Sequence, residues 1–242
     1  QNPQVEANWQ VRVAVGTGDV SRAINELRLK VTKDKQDASS RIELARLTYT
    51  YKETRDFAQA MRYLDEAKAI QPQSQTLTAV RTWILNAEGR PQEALRVLDD
   101  YVAEYSNFEA YWLRAVYLAE RGDADRAEQD YRKLTTFQEI PAGHELLANF
   151  YAGAGKLDQA VTEAEAGLGL HPENVRLKRV LAQLLLSRDK PGDAARALDT
   201  IKELPPDTSS MMLLAMQKLR EGTSQSVTEA KGILEGIVKR DP

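Results

Sequence analysis

The residues best suited to chemistry in this chain lie in three short clusters. His144-Glu145 opens a stretch of helical spacing. A hydrolytic zinc helix needs a second histidine four residues on, so that both imidazoles share one face beside the glutamate base. Position 148 is alanine, and His171 stands in a turn before Pro172 with no ligand type at i+3 or i+4, so both histidines read as structural. Gly153-Ala154-Gly155-Lys156 has the glycines and lysine of a phosphate-cradling loop, but such a loop follows a strand and continues into Ser or Thr. Leu157 follows here, and helix-spaced residues precede. Gly16-Thr17-Gly18 lacks the third glycine and the strand of a dinucleotide fingerprint. Cysteine is absent, which removes thiolate catalysis, disulfides and Cys-based zinc sites. The many acidic residues scatter over solvated helix faces, where a carboxylate is no general acid. The expectation is a protein that is not an enzyme and carries no metal or cofactor.

Composition narrows the partners. The 242 residues carry 33 Lys and Arg against 36 Asp and Glu, a net charge of −3. A nucleic-acid binder needs a basic surplus to neutralise phosphates, so that class is disfavoured. No run approaches 18 apolar residues, so no membrane insertion is expected. The chain opens on Gln1 without a charged-then-apolar leader, which reads as a start removed by processing or design. The compartment, cytoplasmic or periplasmic, stays open.

The elements that carry these clusters repeat. The clearest stretch, Pro141 to Asn174, reads as two helices: Leu146, Leu147, Phe150 and Tyr151 recur at helical spacing, Gly153-Ala154-Gly155 breaks the pattern, and Ala160, Val161, Ala164 and Leu168 resume it. His171-Pro172 closes the stretch, since proline cannot continue a helix. An alanine near the start of each second helix falls at Ala23, Ala60, Ala94, Ala127, Ala160, Ala194 and Ala230, at intervals of 37, 34, 33, 33, 34 and 36 residues. Turns such as Gly18-Asp19, Gly89-Arg90, Gly122-Asp123, Gly155-Lys156 and Asp189-Lys190 precede them. Small residues on the first helices (Thr48, Thr82, Ala115, Ala148, Ala182) allow the helices of a pair to cross closely. A larger side chain there would overpack the contact at a cost of about 1–3 kcal/mol.

The 34-residue period, Tyr51 and Tyr151, the Gly-Asp turns, the registered alanines and the closing prolines resemble the tetratricopeptide repeat over nearly the whole chain. The resemblance implies an all-α fold: a right-handed α-solenoid of seven helix-turn-helix repeats, forming one domain over 1–242 with repeats near 4–38, 41–74, 75–107, 108–140, 141–174, 175–208 and 209–242. Repeat three departs most, with Val80, Trp83, Ile84 and Ala87 shifting its apolar register. Repeat one lacks the aromatic in its first helix, and repeat seven carries about two extra residues near Gly222.

In such a ribbon first helices line the concave side, a surface that receives an extended or helical peptide. The register of repeat five projects Glu145 and Asn149 towards the groove. Carried across, it adds Tyr49 and Lys52, Trp83 and Asn86, Trp112 and Val116, then Arg176, Arg179 and Gln183, with Ala45, Leu213, Gln217, Arg220, Asn8 and Arg12 around them. The expected groove is aromatic in its first half and basic in its second. Some family members clamp a partner's C-terminal carboxylate with Lys, Asn and Arg from three successive first helices. Glu145 stands where that clamp needs lysine, so this mode is disfavoured. The expected function is a scaffold of bacterial type that holds a protein or peptide. The alternative is a regulatory or substrate-docking region of a larger enzyme or secretion and assembly protein, and end-to-end self-association is a further expectation. The last helix carries an apolar stripe, Val227, Ala230, Ile233, Leu234, Ile237 and Val238, which suggests that the parent protein continues or that a second molecule covers this end.

Overall fold

A computed structural model describes residues 16–240. Among these residues the chain is all-α, with thirteen helices and no strand. It divides into two compact lobes after Gly122, inside repeat four. The groove candidates Asn8 and Arg12 lie outside the described residues.

The first lobe contains α1 (Val20–Lys33), α2 (Ala38–Thr50), α3 (Phe57–Ile70), α4 (Gln75–Ala87), α5 (Pro91–Tyr105) and α6 (Phe108–Glu120). The second contains α7 (Ala124–Leu134), α8 (Ala142–Gly153), α9 (Leu157–Leu170), α10 (Val175–Arg188), α11 (Asp193–Lys202), α12 (Thr208–Glu221) and α13 (Ser224–Arg240). Short polar side chains start most helices by accepting a free backbone N–H. Asp37 caps α2 through Ser40 N at 2.8 Å, Asn107 caps α6 through Ala110 N at 2.9 Å, and Asp207 caps α12 through Ser210 N at 2.9 Å. Pro91 opens α5 at its first position, where no backbone donor is lost.

Within each lobe the helices pair as neighbours, and successive first helices also touch: α2 with α4 and α4 with α6, then α8 with α10 and α10 with α12. The registered alanines explain the close pairing. Ala23, Ala60, Ala94, Ala127 and Ala160 each stand fourth in their helix and are fully buried. Thr48, Thr82, Ala115, Ala148 and Ala182 on the first helices are buried as well.

Repeat six corrects the register. Ala194 is exposed, and Ala197 takes the buried place. The cause is length: α10 runs 14 residues where α8 runs 12, and Pro191-Gly192 extends the turn, so α11 starts late. Asp193, the first residue of α11, is buried and binds Arg188 (2.6 and 2.9 Å) and the Lys190 N–H (3.0 Å). These charge-assisted bonds hold its carboxyl down at about 2, the Arg188 bonds contributing most.

A tight contact between three helices lies at Gly167. A Cβ on Gly167 of α9 would stand 2.6 Å from His144 Cβ of α8 and 3.0 Å from Leu177 Cδ1 of α10. Only a residue without a side chain fits there.

Candidate partner-binding site

Four of the sequence candidates converge in the first lobe. Trp83 and Asn86 project from α4, one turn apart, and Trp112 and Val116 from α6, also one turn apart. Together with Ala79, Thr82, Leu98, Leu113, Tyr117 and Glu120 they line a pocket of about 190 Å³. It lies between the two first helices, with Leu98 contributed by α5. Trp83 is 43% exposed although it is a large apolar side chain, and Trp112 and Val116 are half-buried. No cation stacks on either indole among the described residues.

Two buried polar groups of this pocket lack a partner among the described residues, the Thr82 hydroxyl and Asn86 Oδ1. Thr78 sends its hydroxyl to the Ser74 carbonyl at 3.2 Å, the usual helical arrangement, but the Thr82 hydroxyl one turn later is buried with no partner. Asn86 Oδ1 is buried and unpartnered too, and Glu120 is exposed. A buried polar group left unmet costs about 1–3 kcal/mol. Sequence periodicity could not find Thr82, Leu98, Leu113, Tyr117 and Glu120 as lining residues, because four of them also serve the packing between helices.

Tyr49 and Lys52 do not join them. Tyr49 is 2% exposed and thus part of the interior, a correction to its place in the groove. Its hydroxyl donates to Glu88 Oε1 at 2.7 Å, its ring meets Trp83 edge-on at 5.5 Å, and Arg55 covers it at 5.0 Å. Burial, and then the Glu88 bond, hold its phenol above the ordinary range. Lys52 lies in the turn after α2, exposed. Ala45, Leu213 and Gln217 are likewise buried in the helix packing rather than open to a groove.

In the second lobe the candidates are gathered by charge. Arg176 Nε stands 4.0 Å from Glu145 Oε2, Arg179 pairs with Asp207, and Arg220 reaches Asp189 at 3.1 Å. The face expected to be basic is therefore largely neutralised. Asn149 and Gln183 are exposed beside these pairs. The histidines are engaged as well: His144 Nδ1 lies 2.6 Å from Glu163 Oε1, and His171 Nε2 lies 2.8 Å from the Gln138 carbonyl. The Gly155-Lys156 turn is a helix-to-helix connection in which Lys156 Nζ reaches Glu128 at 3.1 Å.

Two family models described as tetratricopeptide repeat match residues 85–143 and 151–219, together more than half of the chain. No curated protein matches. Among solved structures, a tetratricopeptide repeat protein from Parabacteroides merdae is 18% identical with a TM-score of 0.52, covering 98% of this chain and 93% of that one. The C-terminal part of a TPR repeat-containing protein from Cytophaga hutchinsonii is 14% identical with a TM-score of 0.58, covering 96% and 94%. Yeast Tom70 is 18% identical with a TM-score of 0.59, covering 91% of this chain and 48% of its own. At these identities the likeness shows a shared fold.

Proposed function

We propose a partner-binding role from one premise: this chain belongs to the tetratricopeptide repeat family. Proteins of this family commonly mediate protein–protein interactions and are generally scaffolds rather than enzymes. No helix among the described residues is long and apolar enough to cross a membrane. The finer reading is that the α4–α6 face of the first lobe holds a peptide segment of another protein. One observation carries it: an exposed tryptophan, Trp83, and a half-buried one, Trp112, line a pocket the size of a single side chain. An exposed apolar concavity with a few polar groups is the usual form of a binding site.

The test is Trp112→Ala, read by affinity capture and by thermal melting. Partner binding should weaken by about 2 kcal/mol or more, as for an interface anchor. Stability should fall by less than the ~3–5 kcal/mol of a fully buried aromatic. A severe loss of stability with partner capture unchanged would sink the reading.

A second reading, self-association, rests on α12 and α13. Met212, Met216 and Leu219 recur along one face of α12 at 41–48% exposure. Leu219 joins Val227, Leu234 and Val238 in an apolar groove of about 460 Å³, edged by Lys231, Glu235 and Lys239. Sedimentation over a range of concentrations decides this; a fixed monomer mass removes it.

A further inference from the structure

We propose that the Trp83–Trp112 pocket receives one basic side chain of the partner, best matched by arginine. The inference rests on the peptide-binding reading and narrows it to a residue type. A cavity of about 150 Å³ can hold a benzene ring, so the 190 Å³ here suits one side chain and not a larger ligand. Its walls are mainly apolar and aromatic; its one charged group is the Glu120 carboxylate, and Asn86 Oδ1 is a buried acceptor with no donor. A purely apolar occupant would leave Asn86 Oδ1 unmet and bring no charge to Glu120. An acidic one would face the Glu120 carboxylate, and no Lys or Arg stands among the lining residues. Arg90 binds Glu93 through two bonds of 2.6 Å, and Arg121 lies over the Tyr117 ring at 5.2 Å.

Arginine fits each feature. Its methylene stem packs on the apolar wall while the charged head stays polar-bound. The guanidinium plane stacks on an indole, and its five donors can serve Glu120 and Asn86 Oδ1 after rotation of the half-buried Asn86 amide. The first lobe already uses this pairing internally, with Arg55 over Tyr49 and Arg90 over Phe57, both at 5.0 Å. Neither Trp83 nor Trp112 carries such a cation from within the described residues.

The experiment titrates acetyl-arginine-amide, acetyl-citrulline-amide and acetyl-norleucine-amide into the full chain. The readout is the indole N–H NMR signals, assigned with Trp83→Phe and Trp112→Phe. Arginine should shift both signals saturably and bind at least about threefold more tightly than neutral citrulline or apolar norleucine, the scale of one partly exposed ion pair with ring stacking. Glu120→Gln should bring arginine down to the level of citrulline without moving the melting temperature. Norleucine binding as well as arginine, or no probe shifting either indole, overturns the proposal. The two readings fail separately. If arginine binds but Trp112→Ala captures partner at full strength, the groove function falls and the pocket assignment stands. If partner capture is lost while norleucine equals arginine, the reverse holds.

Discussion

In the first lobe, α4 and α6 present two tryptophans and two unpaired polar groups. In the second, α8, α10 and α12 present Glu145, Arg176, Arg179 and Arg220, all drawn into ion pairs. The inward residues of both faces are alike: Thr82 and Ala115 in one, Ala148 and Ala182 in the other, all buried. One packing solution therefore supports two unlike outer surfaces, one aromatic with two unpaired polar groups and one whose charges are largely matched within the chain. The comparison also comes with its own probe. Trp9, Trp83 and Trp112 all precede the lobe division, so tryptophan emission reports the first lobe while far-UV circular dichroism reports the whole chain.

The largest expected effect breaks the second lobe alone. Asp193→Ala takes from Arg188, whose side chain is 14% exposed, its two shortest bonds and leaves it only the Asp158 contact at 3.3 Å. Removing one member of a buried ion pair costs about 3–5 kcal/mol. Urea unfolding should show the dichroism transition moving to lower denaturant, with tryptophan emission changing little. Equal shifts in both signals would mean that the lobes unfold as one body.

Acidification should produce the same asymmetry more gradually. Asp193 titrates at about 2 in the folded chain, against about 3.9 for an unfolded aspartate. A depressed folded value gives stability that is fully present above the unfolded value and lost as pH falls from there through about 2. Melting temperatures by dichroism should decline between about pH 5 and pH 2 and decline less in Asp193→Asn. A parallel decline in both proteins would remove Asp193 as the cause.

The smallest effect sharpens the claim that the second face is neutralised at the surface. Arg176 is 75% exposed and sits 4.0 Å from Glu145, so Arg176→Ala should change stability by less than about 0.5 kcal/mol. A loss above 1 kcal/mol would show that this pair organises the face.

What the sequence revealed follows the same division between inner and outer residues. Ala60, Ala94, Ala127 and Ala160 were readable because close helix crossing admits one residue size at a fixed spacing. Ala197 escaped because α10 is longer, and the ruler that matters is the place where α11 meets α10 rather than the count between alanines. Tyr49 was misplaced because helical spacing alone cannot tell a ring buried between repeats from one facing outward. Its hydroxyl finds Glu88, 39 residues away. The charge of the second face was misread for the same reason: Asp207 and Asp189 meet their arginines only in the fold.

Gly167 bears on how far repeats can be exchanged. Arrays of this kind are often treated as interchangeable modules that touch only their neighbours. At Gly167 the contact has no slack, since α9 rests against His144 on one side and Leu177 of the following repeat on the other. The fifth repeat is therefore portable only with α10 attached. A chimera that joins repeat five to a first helix with a bulkier side chain than Leu177 at that point would meet backbone rather than a side chain able to yield.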